Sequence, residues 1–160
     1  MSEDEIYAEF ERADVPLERL EHPAVHTVEE SAAIHAALPA AHTKNLFLKD
    51  KQGKFWLVTL PSDRRADLKA FAQLLGAGKF SFGKPEDMER LLQIAPGSVT
   101  PLAAANAAGE VTVVLDAAFR EAERIAVHPL RNTATIALPF DALETWLRAK
   151  GIPTKVTALP

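Results

Sequence analysis

Polar groups crowd into three short stretches of this chain, and each could assemble a site. In Ala41-His42-Thr43-Lys44-Asn45-Leu46-Phe47-Leu48 they interrupt a strand-like run. Regular alternation puts Lys44 on the face of Leu46 and Leu48, with its ammonium beside apolar side chains or at a pocket edge. A lysine enclosed in this way can hold a phosphate or carbonyl oxygen; the plainer reading is a strand-end lysine that snorkels to water. In Ala95-Pro96-Gly97-Ser98-Val99-Thr100-Pro101, two prolines fix a loop that one glycine loosens. Such a backbone can turn several N–H groups toward one point and stabilise a carbonyl oxygen or a developing oxyanion, or it simply connects two helices. In Val127-His128-Pro129-Leu130-Arg131-Asn132-Thr133-Ala134-Thr135, His128 can orient a substrate or exchange a proton, or serve only structure at a strand end.

Other chemistries lack their residues. The chain has no cysteine, which excludes a disulfide, a thiolate nucleophile and a Cys-ligated zinc. His22 and His26 flank Pro23 and the other three histidines are scattered without ligand spacing, so no metal and no cofactor is expected. A nucleophile elbow needs glycines two residues either side of its serine, whereas Ser98 has Gly97 immediately before it and Thr100 two residues after. Gly76, Gly78 and Gly83 lack the spacing and the lysine of a phosphate loop.

The elements that must position these stretches follow from periodicity. Ile6, Phe10 and Ala13 recur at helical spacing before Pro16, predicting a first helix over Glu3 to Ala13. A short strand at Leu17 to Glu21 and a helix from Val28 to Leu38, stopped by Pro39, come next. His42 to Lys49 and Phe55 to Leu60, joined by Asp50-Lys51-Gln52-Gly53, read as a hairpin. Helices are expected over Ala66 to Leu75, closed by Gly76, and from Lys84-Pro85 to a stop at Ala95-Pro96-Gly97. Between them a short strand is expected at Lys79 to Phe82. An alanine-rich turn or short helix at Leu102 to Ala107, strands at Val111 to Leu115, Ile125 to His128 and Thr133 to Leu138, and a last helix over Pro139 to Lys150 complete the pattern. With no repeat or linker, one mixed α/β domain over residues 1–160, built on a curved central sheet, is the economical architecture.

Composition bounds the partners. A chain of 160 residues with 48% hydrophobic and 25% charged residues is ordinary for one globular domain. The acidic N-terminus and the lack of a membrane-length apolar run predict a protein that is neither exported nor membrane-bound, with the cytoplasm as its place. A net charge of −4 argues against broad wrapping of nucleic acid, and no recognition-helix motif speaks for DNA. Positive charge is nonetheless concentrated in the middle, from Lys44 through Lys84, which suits a short anionic contact or a set of solvated faces.

Taken together and in order, three motifs resemble the YbaK-like aminoacyl-tRNA editing family, which includes the editing insertion of bacterial prolyl-tRNA synthetases and free-standing prolyl-tRNA deacylases. They are the strand Thr43-Lys44-Asn45-Leu46-Phe47-Leu48, the Gly97-Ser98-Val99-Thr100-Pro101 loop matching a Gly-x-x-x-Pro motif, and His128 followed by Asn132-Thr133-Ala134-Thr135. With the acidic first helix and His22-Pro23-Ala24-Val25-His26-Thr27, the chain is similar to the free-standing alanine-specific branch, PrdX or ProXp-ala. The resemblance implies a partly barrel-like mixed sheet flanked by helices. It also implies hydrolysis of the ester of alanine mischarged onto tRNA(Pro), the second sieve a synthetase needs when its own pocket cannot reject the smaller amino acid. Lys44 would hold the terminal adenosine or the carbonyl region, and N–H groups around Gly97 and Ser98 the ester carbonyl. His128, Asn132 and Thr133 would shape the pocket, with Asn45, Val99, Thr100 and Pro101 completing the substrate-binding set. The partners implied are the acceptor end of mischarged tRNA(Pro) and, as a docking partner, prolyl-tRNA synthetase. Deacylation of cysteine or serine from a wrong tRNA, or a non-catalytic module that binds tRNA or a synthetase, are the competing readings.

Overall fold

Ser2 opens the first helix with a reciprocal capping box: its hydroxyl accepts the Glu5 N–H while the Glu5 carboxylate accepts its own. In the computed structural model, which describes residues 1–160, α1 spans Glu3–Arg12 and buries Ile6 and Phe10, one turn apart. It ends at Ala13, followed by Asp14 in the left-handed region, before Pro16 is reached. Strand β1 (Glu18–Glu21) and helix α2 (Val28–Ala37, capped by the Thr27 hydroxyl) follow. No residue of α2 is fully buried, so this helix lies on the molecule rather than in it.

The expected hairpin is β2 (Ala41–Lys49) paired antiparallel with β3 (Phe55–Pro61). Asp50 organises its turn: one carboxylate oxygen accepts the N–H groups of Gln52 and Lys54, both at 2.9 Å, and the other accepts the Trp56 indole N–H at 3.0 Å. Strand β3 is buried on both faces. Phe55 and Leu57 join the larger apolar cluster, while Trp56, Val58 and Leu60 join the smaller one on the opposite side. An inner strand reads as this kind of continuous apolar run.

The remaining elements are α3 (Leu68–Leu75), β4 (Ser81–Phe82), α4 (Pro85–Leu92), a 3-10 helix at Pro101–Asn106, β5 (Val111–Asp116), a second 3-10 helix at Ala117–Glu121, β6 (Ile125–Val127), β7 (Ala134–Leu138), α5 (Phe140–Ala149) and β8 (Thr154–Thr157). The strands form one mixed sheet in the order β1-β7-β6-β2-β3-β5-β8, with β4 paired to β2. Its ends, β1 and β8, are not paired to each other, so the sheet is open rather than a closed barrel. Three junctions are parallel, β2 with β6, β3 with β5 and β5 with β8; the others are antiparallel.

Several expected boundaries move for local reasons. Helix α3 starts at Leu68 because the Asp67 carboxylate caps it by accepting the Ala70 N–H. Helix α4 stops at Gln93, which adopts the left-handed conformation ahead of Pro96. Strand β4 is two residues long, and neither β8 nor the 3-10 turn at Ala117–Glu121 was signalled by periodicity.

Candidate active site

Parallel pairing of Ala41 with Ile125 and His42 with Ala126 brings the start of β2 beside the start of β6. The Thr43 hydroxyl extends that seam by donating to the Ala126 carbonyl at 2.8 Å. A cavity of about 550 Å³ opens over this junction, floored by Thr43, Lys44 and Asn45 and walled by His128, Gly97 and Asn132. Val28, Ser31, Ile34 and His35 of α2 close it from above, and Ser62 and Asp63, just past β3, border it. Lys44 is half-buried and stands opposite Leu60. The expected alternation holds beyond it, with Leu46 and Leu48 packed into the smaller core, so the lysine marks where that face changes from packed to open. Asn45 is fixed from two sides: its amide donates to Thr43 Oγ1 at 3.2 Å and its carbonyl accepts from the buried Thr59 hydroxyl at 2.5 Å.

The Pro-Gly loop contributes a single residue. Gly97 has φ +90° and faces Asn132 closely enough that a Cβ would lie 3.5 Å from its Nδ2. The Gly97 N–H has no acceptor within the chain, whereas the Ser98 N–H is spent on the Ala95 carbonyl at 3.1 Å. Ser98, Val99, Thr100 and Pro101 do not line the cavity. Ser98 is buried, Val99 packs against the larger core, Thr100 caps the 3-10 helix by accepting the Leu102 N–H, and Pro101 is buried as its first residue. A donor pair at Gly97 and Ser98 thus reduces to Gly97 alone.

The histidines converge, against their scattered appearance in sequence: His22, His35, His42 and His128 all line the cavity. A carbonyl can only accept, so each ring nitrogen facing one carries the proton. His128 Nδ1–H donates to the Ala134 carbonyl at 2.9 Å, which leaves Nε2 as an acceptor. Burial pushes its pKa below the usual histidine value; the bond to Ala134 opposes this and nearby His22 adds to it. His22 Nδ1–H donates to the Pro23 carbonyl at 2.9 Å, so its Nε2 accepts from the Thr135 hydroxyl at 2.8 Å. His42 Nε2–H donates to the Leu38 carbonyl at 2.7 Å, its ring stacks on His35 with 4.0 Å between centroids, and burial lowers its pKa as well. No three His, Cys, Asp or Glu side chains are grouped to hold a metal ion.

Asn132 reaches the cavity because its loop is clamped. Arg131 donates to Glu3 of α1 at 2.7 and 3.1 Å, to Glu21 of β1 at 2.7 and 2.8 Å, and to Thr133 Oγ1 at 3.0 Å. The guanidinium holds both carboxylates below their usual pKa range. Thr133 is consumed by this clamp, its carbonyl also accepting the His22 N–H, and it stays outside the cavity. His22, His42 and Thr135 escaped sequence reasoning as site residues because only sheet pairing brings them together.

The cavity therefore offers the Lys44 ammonium, the unpaired Gly97 N–H and the acceptor nitrogen of His128. Its one hydroxyl–imidazole pair, Thr135 with His22, is backed by a neutral carbonyl instead of a carboxylate, so nothing stabilises the imidazolium that a covalent mechanism requires. Donors and acceptors within one cavity suit a group that carries a carbonyl oxygen next to an amine.

Comparison with known proteins shows what the chain and its fold are similar to. A family model described as "Aminoacyl-tRNA editing domain" matches residues 22–145. The prolyl-tRNA synthetase associated domain-containing protein 1 of Bos taurus is 41% identical over 139 residues, covering 84% of this chain and 81% of its own. The prolyl-tRNA editing protein ProX of Acetoanaerobium sticklandii is 31% identical over 156 residues, covering 96% and 95%. A crystal structure described as a candidate trans-editing enzyme for prolyl tRNA synthetase superposes with TM-score 0.72 at 20% identity, over 98% of this chain and 95% of that one.

Proposed function

We propose, from the premise that this chain belongs to the aminoacyl-tRNA editing domain family, that residues 1–160 act as one editing unit that hydrolyses the ester of alanine mischarged onto tRNA(Pro) in the cytoplasm. The observation that carries the reading is the convergence of Lys44, the free Gly97 N–H and the His128 Nε2 acceptor on one cavity. In this reading Lys44 holds an oxygen of the terminal adenosine or of the acyl group, and the Gly97 N–H donates to the ester carbonyl as it becomes an oxyanion. His128 Nε2 and Asn132 receive the α-ammonium, and Val28 and Ile34 bound the space left for the amino-acid side chain, so that alanine enters and proline does not. Water attacks directly, assisted by a hydroxyl of the terminal ribose. The absence of a charge-backed nucleophile supports this over an acyl-enzyme. An aminoacyl ester is already activated, so positioning and one oxyanion donor supply a large share of the acceleration.

The test is a deacylation time course on Ala-tRNA(Pro), Cys-tRNA(Pro), Pro-tRNA(Pro) and Ala-tRNA(Ala), with Lys44→Ala in parallel. Selective loss of alanine from tRNA(Pro), abolished in a folded Lys44→Ala protein, is the expected result. Cleavage of the cysteine ester in its place overturns the amino-acid assignment, and tRNA binding without turnover overturns the catalytic one.

A further inference from the structure

A second cavity, of about 580 Å³, adjoins the first and shares His35, His42, Ser62 and Asp63 with it. Its remaining walls are mostly apolar, with Pro39, Ala41, Pro61 and Phe119 among them. No lysine or arginine lines it, and the guanidinium at its edge, Arg124, is committed to the Pro39 carbonyl at 2.6 Å and to Glu18 at 2.7 Å. What it does present is an aromatic surface and an acceptor. The His35–His42 stack, with rings 24° apart and His42 anchored to the Leu38 carbonyl, is already ordered. The Asp63 carboxylate is exposed at the junction of the cavities, and the adjacent Arg64 is committed to the buried Asp116, which leaves Asp63 without a cation. Together these fit a flat, uncharged ring that bears an exocyclic amine.

We propose that the second cavity takes the base of the cytidine preceding the terminal adenosine of the tRNA, its ring against the His35–His42 pair and its amino group donating to Asp63; this rests on the editing reading above. The geometry of adjacent cavities sharing one wall matches adjacent nucleotides on one strand. Carboxylates accept from the cytosine N4 amine, and single-stranded bases stack on aromatic side chains. Uracil would instead turn its O4 acceptor toward the carboxylate.

The experiment compares alanylated acceptor-stem RNAs carrying cytidine or uridine at that position, with wild-type protein, Asp63→Asn and Ala118→Trp. Ala118 borders only the second cavity, and its exposed side chain can be enlarged into it. Wild-type kcat/KM is expected to fall about tenfold on uridine, the scale of one lost base contact. Asp63→Asn narrows that difference, losing on cytidine and gaining on uridine, because an amide can donate to O4. Ala118→Trp erases the difference and leaves cleavage of alanyl-adenosine, which lacks the cytidine, unchanged. Equal wild-type rates on the two RNAs overturn the inference while the editing reading stands, as does an Asp63→Asn variant slowed equally on both. If wild-type protein cleaves neither RNA nor alanyl-adenosine, the editing reading falls and takes this inference with it.

Discussion

Replacing Gly97 with alanine separates the cost of a backbone conformation from the loss of the oxyanion donor proposed for it. At φ +90° an L side chain is strained, whereas the added Cβ would meet its nearest neighbour, Asn132 Nδ2, at an ordinary 3.5 Å. Steric collision is therefore absent and the whole penalty is conformational, about 1–2 kcal/mol. For a chain of this length that corresponds to a fall in Tm of roughly 2–8 °C. The loop can relieve the strain by rotating toward negative φ, which swings the Gly97 N–H away from the cavity. Loss of one oxyanion donor lowers kcat by about 10²–10³-fold. Thermal unfolding followed by circular dichroism and single-turnover deacylation of Ala-tRNA(Pro) read the two effects separately. A small drop in stability with a large drop in rate is expected. A variant with wild-type Tm and wild-type rate would refute both the strain assignment and the donor role.

Other outcomes follow from the same geometry. Thr135→Val, which keeps the side chain's shape and removes the hydroxyl, is expected to retain the cleavage rate within about tenfold; a loss beyond about 10³-fold, the scale at which a whole nucleophile is removed, would establish Thr135 as the nucleophile and sink the water mechanism. Asp50→Ala leaves the buried Trp56 N–H without an acceptor and frees two turn N–H groups, a cost of about 2–3 kcal/mol, measurable as a shifted urea midpoint with unchanged slope. The acid limb of kcat/KM, corrected for uncatalysed hydrolysis, should have its midpoint below the ordinary histidine value, because burial keeps His128 neutral and its Nε2 accepting; a midpoint above that value would contradict the role given to this acceptor. The same depressed pKa has a stability consequence of fixed sign. The unfolded chain takes up the proton first, so stability falls as pH drops from the unfolded value toward the folded one and is unaffected above it.

Local features of the sequence were the legible ones. The β2–β3 hairpin could be read because alternation and the Asp50-Lys51-Gln52-Gly53 turn lie within a single continuous stretch. Lys44, Gly97 and His128 stood out by residue type and pattern, Asn45 and Asn132 entered through the resemblance, and all five line the cavity. Ser98, Val99, Thr100, Pro101 and Thr133 have suitable chemistry, but residue type does not report which way a loop side chain faces; capping, core packing and the Arg131 clamp turn theirs elsewhere. The gathering of His22, His35 and His42 was invisible for a different reason. It depends on antiparallel pairing of β1 with β7 and parallel pairing of β2 with β6, between segments more than eighty residues apart. Strand β8 was missed because Thr154–Thr157 is short, follows Pro153 and takes its place only by lying beside β5.

The parallel seam between β2 and β6 also bears on how the protein is made. A ribosome delivers Lys44 long before it delivers Ile125 and Ala126, and the partner strand β7 arrives later still. Contacts of such sequence separation close late, since the intervening chain must first be ordered. An unfinished polypeptide can fold its β2–β3 hairpin but owns only half of the cavity, with the lysine on it and neither the histidine acceptor nor the glycine donor opposite. Under the editing reading the lysine, the glycine donor and the histidine acceptor face one another only once β6 has paired with β2, so the site is completed by its most distant contact rather than by its most local one.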